Sequence, residues 1–228
     1  MRYLIGLFLA FIIINPSYCY QPKSGDVVIT DFEKPPYNNF AGVIGPYGAI
    51  TGSGFTFDES FRGSRSYKII YSQKGTVEKE HFVRWEGSRR KMKEMRKTES
   101  PHIYRKIDWA VMMINMGPFV DTSVTPMAIG PQDLSGYRYL VFWVKGQRGG
   151  EKFRVYLRDV HAETYEAQLK INPHVVVQNY WRPVKIKLDR LKNKIDLTKI
   201  VQIGIGFGRK DGNRHGNVIY LDDFILIK

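Results

Sequence analysis

Cysteine is almost missing from this sequence: Cys19 is the one example in 228 residues. A single thiol closes no internal disulfide and builds no thiolate metal cluster, which excludes the small disulfide-stapled scaffolds. Histidine is also scarce. The five histidines are scattered without a His-Glu-x-x-His spacing, and His161-Ala-Glu163 lacks the cysteines that a zinc deaminase would need. Acidic residues are outnumbered, 22 against 35 lysines and arginines, for a formal net charge of +13. Such a balance favours anionic partners or membrane surfaces without choosing between them. No nucleic-acid reading motif is present, so nucleic acid is not an expected partner.

Long apolar runs are missing as well. The longest opens the chain, where Met1–Ile14 has a short basic start and a run too brief for a membrane span. It reads as a secretory signal over residues 1–19, cut after Ser17-Tyr18-Cys19, so that the mature chain begins at Tyr20. The expected location is secreted or periplasmic, with no transmembrane span once the signal is removed. A lipid anchor on Cys19 is one alternative, although Asn15-Pro-Ser-Tyr18 lacks the aliphatic-then-small pattern that acylation uses, and an uncleaved anchor is another.

What the chain has in quantity is β-branched and aromatic residues cut by turn formers. Residues 20–26 form a polar, mobile lead-in. Strands are predicted over Val27 to Phe32, Ala49 to Thr51, Gly54 to Phe57, Gly63 to Tyr71 and Trp109 to Met116. Further strands follow over Tyr139 to Lys145, Phe153 to Val160, Glu166 to Ile171, Pro183 to Leu188, Val201 to Phe207 and Val218 to Ile227. Trp109 to Met116 is apolar on both faces, as a central strand would be. Gly204-Ile-Gly-Phe-Gly208 looks like a dinucleotide loop, but a turn-rich segment follows where a helix would have to begin. Short strands, turns and little helical periodicity indicate one all-β domain over residues 27–228, a two-sheet antiparallel sandwich.

One segment breaks the pattern. Between Arg84 and Lys106 stand nine basic and three acidic residues. The excursion 76–106 is therefore read as a basic insertion, partly helical or disordered, and Trp85 and Tyr104 on it are candidate partner contacts.

Two strands carry acids that a buried strand interior normally avoids: Asp31 and Glu33 near the start, Asp222 and Asp223 near the end. The economical explanation joins the two ends of the domain around a shared hard cation. Turn capping or pairing with Lys and Arg explains the acids equally well. If β alternation holds through Asp222 and Asp223, the two point to opposite faces.

Asp31-Phe-Glu33, Asp133-Leu-Ser-Gly-Tyr137, Leu140-Val-Phe-Trp-Val-Lys-Gly146, the strand-opening Trp181 and Tyr220-Leu-Asp-Asp-Phe224 occur in an order that resembles the galactose-binding-like jelly rolls. Within them the chain is most similar to family 11 carbohydrate-binding modules and the related complex I intermediate-associated domains. The resemblance implies a structural calcium ion held by Glu33 and Asp222, with Asp31 a further candidate. It also implies that Trp143 and Trp181 belong to the core or its rim.

A ligand face is legible in Phe153–Asp159. Alternation sends Phe153, Val155 and Leu157 inward and Arg154, Tyr156 and Arg158 to the opposite face. A tyrosine ring offers a flat surface to the C–H side of a sugar, and guanidinium groups donate paired hydrogen bonds to vicinal hydroxyls. Gln168, Lys185, Lys187 and Gln202 are expected to join them from neighbouring strands. An ordinary solvated sheet face is the plainer reading.

The function expected is non-catalytic binding of a polysaccharide or oligosaccharide. The alternative is an interaction or assembly factor that holds an anionic surface or a protein through the basic insertion. Acids of a polysaccharide-active enzyme would have to come from Asp58, Glu59, Glu163 and Glu166.

Overall fold

The computed structural model describes residues 21–48, 52–72, 76–78, 104–106, 109–120, 128–161 and 169–228. The signal and Cys19, the strand expected at Ala49 to Thr51, Gln168, Glu163, Glu166 and most of the basic insertion, Trp85 included, lie outside those residues.

The described residues form β1 (Val27–Thr30), β2 (Ile44–Gly48), β3 (Gly54–Thr56), β4 (Ser66–Ile70), β5 (Thr76–Glu78), β6 (Tyr104–Lys106), β7 (Trp109–Asn115) and β8 (Phe119–Val120). There follow β9 (Ala128–Ile129), β10 (Tyr139–Gly146), β11 (Lys152–Asp159), β12 (Leu169–Val176), β13 (Arg182–Lys187), β14 (Ile200–Gly208) and β15 (Val218–Ile227). Single 3₁₀ turns at Leu188–Leu191 and Leu197–Lys199 connect β13 to β14.

Two antiparallel sheets make the body. One runs β13-β10-β15-β4-β3, with β1 pairing β15 beyond the end of β4; the other runs β12-β11-β14-β7-β2. The all-β sandwich expected from the sequence is present. The strands β5 and β6 form a separate ladder where the basic insertion leaves and rejoins the domain.

Prolines mark the borders. Pro46 lies in β2, Pro173 in β12 and Pro183 in β13, and all three are edge strands. A residue without an N–H donor costs a ladder bond anywhere else in a sheet. Gly45, Pro46 and Gly48 are therefore compatible with a strand here, because this strand has only one neighbour.

Alternation builds the core between the sheets. Leu140, Phe142 and Val144 face Phe153, Val155, Leu157, Ile203, Ile205 and Phe207, all buried. Phe142 stacks on Phe224 at 4.6 Å between centroids and meets Phe153 of the opposite sheet edge-on at 5.9 Å. Each such ring contributes on the order of 2 kcal/mol by leaving water.

The first and last strands of the domain lie side by side. Val27 is opposite Leu226 and Val28 opposite Ile225, and the Lys228 backbone N–H donates to Asp26 Oδ1 at 3.3 Å.

Candidate functional site

The outer face of the five-stranded sheet carries the residues singled out on β11. Ladder register sets Arg158 beside Gln202 and Gln202 beside Asn115 in one row. Tyr156, Gly204 and Met113 form the next row, and Arg154, Gly206 and Val111 the third. Arg154, Tyr156, Arg158 and Gln202 are thus brought together as expected.

Glycine decides the shape of this face. A methyl group added at Gly206 would come within 2.5 Å of Tyr156 Cε2 and 3.0 Å of its hydroxyl oxygen, and one at Gly204 within 3.6 Å of Tyr156 Cβ. The tyrosine ring therefore lies down across β14, where there are no side chains to hold it up. It is 5% exposed, so it forms a floor to this face.

Polar groups frame that floor. The Arg154 guanidinium sits 5.5 Å from the Tyr156 ring centroid and pairs with the fully buried carboxylate of Asp211. Gln202 Nε2 donates to Asn115 Oδ1 at 2.8 Å. Arg154 and Arg158 are half-buried, and burial pulls the Arg158 pKa below the usual arginine value, against the opposing charge of Asp159. Asp211 and Asn115 were not picked out in the sequence. Asp211 lies in a glycine-flanked turn where an acid ordinarily faces solvent, and only the fold turns it toward Arg154.

Lys185 and Lys187 do not join this face. Their strand β13 pairs with β10, Val141 opposite Lys185 and Tyr139 opposite Lys187, so both lysines belong to the other sheet. Lys185 Nζ stands 3.9 Å from the Tyr139 ring centroid. The chain passes from one sheet to the other between β12 and β13 and back again before β14, which separates residues that look adjacent in sequence. Gln168 lies outside the described residues.

The terminal acids are used in another way. A bulge interrupts β15 where Trp143 faces Asp222 and Val141 faces Ile225, and Asp223 adopts a left-handed conformation with φ of 48°. Aspartate tolerates that region better than most residues. Alternation therefore fails at this point, and both carboxylates reach the same neighbour, Arg62. Asp222 Oδ2 accepts the N–H groups of Phe61 (2.8 Å) and Arg62 (3.3 Å), while Asp223 Oδ2 accepts Arg62 Nε (2.8 Å) and Nη2 (2.6 Å).

Glu33 takes the next part of the same loop. Its Oε1 accepts the Ser64 and Arg65 N–H groups, each at 2.8 Å, and its Oε2 accepts the Ser64 hydroxyl. Burial acts upward on its pKa, but these donors outweigh it and hold the group below the ordinary glutamate value. Burial dominates at Asp222 and pushes its pKa up to about 7 against the Phe61 N–H.

Glu33 and Asp222 thus both anchor one loop, residues 57–65. Asp31 is exposed and accepts the Glu33 N–H at 3.1 Å. Among the described residues no three His, Cys, Asp or Glu side chains are grouped to hold a metal ion.

The anchored loop covers the outer face of the six-stranded sheet. Phe61 stacks on Trp143 at 4.7 Å and touches Trp181, so both tryptophans pack as the resemblance implied. Asp58 and Glu59 pair with Lys68 and Lys145, each at 2.7 Å. Phe61 and Arg62 carried no signal in the sequence, because their role depends on loop closure. The exposed aromatics Tyr37, Phe57 and Tyr180 lie in connections between strands.

Comparison with known proteins agrees with this architecture. The chain resembles the family 30 carbohydrate-binding module of a cellulosomal cellulase of Clostridium thermocellum, with a TM-score of 0.52 at 17% identity over 89% of this chain and 97% of that one. A second family 30 module gives a TM-score of 0.52 at 18% identity, over 89% of this chain and 98% of that one. A family 11 module of Clostridium thermocellum is more distant, with a TM-score of 0.47 at 11% identity over 89% and 94%. No curated protein matches the chain. The family described as carbohydrate binding domain 30 matches residues 56–228, well over half of the chain. The resemblance to carbohydrate-binding modules read from the motifs is thus shown; the family model matched is that of family 30, and this chain belongs to the carbohydrate binding domain 30 family.

Proposed function

We propose that this domain is an exported, non-catalytic module that binds polysaccharide across the outer face of its five-stranded sheet. The observation that carries the reading is the Tyr156 ring laid over Gly204 and Gly206, with Arg154 against it and the Gln202–Asn115 pair one row away. An aromatic floor framed by guanidinium and amide groups suits a sugar ring, which has an apolar C–H face and a rim of hydroxyls. With the ring acting as floor, half-buried Arg154 and Arg158 supply the directional contacts. The non-catalytic part of the reading draws support from Asp58 and Glu59, which are paired with lysines on the other sheet.

Binding to a panel of soluble β-glucans and other plant polysaccharides, measured by calorimetry, tests this. Tyr156→Ala and Arg158→Ala are each expected to weaken binding about tenfold or more, the equivalent of roughly 1.4 kcal/mol. No reducing ends should appear on prolonged incubation. Full affinity in both variants, with loss in Tyr180→Ala or Phe57→Ala, would place the sugar elsewhere.

A further inference from the structure

The joint between β1 and β15 is where the family resemblance implies a calcium ion, and the residues found there do not suit one. Calcium takes roughly six to eight oxygen ligands, drawn from carboxylates, carbonyls and water. Here donors converge on the acids: both oxygens of Asp222 accept backbone N–H groups, and both oxygens of Glu33 accept donors from Ser64 and Arg65.

The positive charge at this joint is part of the chain. Arg62 donates through Nε and Nη2 to one oxygen of Asp223, whose side chain is 1% exposed. Burial first, and the charges of Asp31 and Glu33 after it, act upward on the Asp223 pKa, and the Arg62 pairing opposes them. A guanidinium is always charged, and its fork of donors fits the edge of a carboxylate. Because Phe61 and Arg62 also donate their backbone N–H groups to Asp222, the same short segment brings both the charge and the donors.

We infer that Arg62 is the resident cation of the joint between β1 and β15, and that folding of this domain is independent of divalent metal. The inference does not depend on where the sugar binds. Thermal unfolding of the full chain, stripped with EDTA and then supplied with millimolar calcium chloride, tests it. Wild-type Tm is expected to be the same in both conditions to within about 1 °C, and Arg62→Ala to unfold about 5 °C lower or more in either. Should Arg62→Ala not fold, Arg62→Lys keeps the charge without the fork and is expected to fold with a lowered Tm. A calcium-induced rise of about 5 °C or more in the wild type, or an unchanged Tm in the folded Arg62 variant, would overturn the inference.

Discussion

A single hydrogen atom at position 206 decides whether Tyr156 can lie flat. Gly206→Ala sets a methyl group against the ring, and the overpacking is expected to cost about 1–3 kcal/mol in chemical denaturation. If the ring is the floor of the sugar face, affinity falls together with stability. Asp222 sets a pH dependence at the same scale. Its pKa is raised by burial, so the folded state holds a proton that the unfolded state gives up near the ordinary value of 3.8. Stability contributed by this group is present below about pH 4 and is lost as pH rises through about 7. Glu33 works in the opposite sense, because its pKa is lowered: its contribution is present above the ordinary value of 4.5 and is lost on acidification. Tm measured from pH 4.5 to 8 is therefore expected to fall up to about pH 7 and to level off above it, and Asp222→Asn to flatten that fall. A wild-type Tm that climbs from pH 5 to 7.5 would count against the assignment.

Strands show what the sequence could and could not reveal. Alternation in Phe153–Asp159 put Arg154, Tyr156 and Arg158 on one face, and the ladder with β14 added Gln202. Periodicity reports which way a side chain leaves its own strand and says nothing about which strand lies next to it, so Lys185 was assigned to the wrong sheet. Asp222 and Asp223 show a second limit: a one-residue bulge reverses the alternation, and no local pattern announces it. The family resemblance identified the acids that matter at the chain ends but not their partners, which come from a loop about thirty residues beyond Glu33. That loop gives a prediction for the element as a whole. Glu33→Ala leaves the Ser64 and Arg65 N–H groups without their acceptor, and a loss of roughly 1–3 kcal/mol is expected. Faster proteolysis within residues 57–65 should accompany it, whereas cleavage spread evenly over the chain would contradict the clasp.

For the molecule as a whole, closure comes from the final strand. β15 pairs with β10, β4 and β1, so it joins the beginning of the domain to its middle, and its side chains from Val218 to Leu226 are buried apart from the ladder itself. Deleting Val218–Lys228 is expected to leave a chain without cooperative unfolding by circular dichroism, and a cooperative transition in that truncation would show that the ends matter less than the pairing suggests. The same closure makes the two sheet faces independent surfaces: the loop 57–65 covers one, while Tyr156 and its arginines lie on the other. Backbone amide shifts recorded while an oligosaccharide is added to the isotopically labelled domain read the two faces at once. The account predicts that the largest changes fall in Arg154–Arg158, Gln202–Gly206 and Val111–Asn115; changes confined to β10, β13 and the loop 57–65 would contradict it.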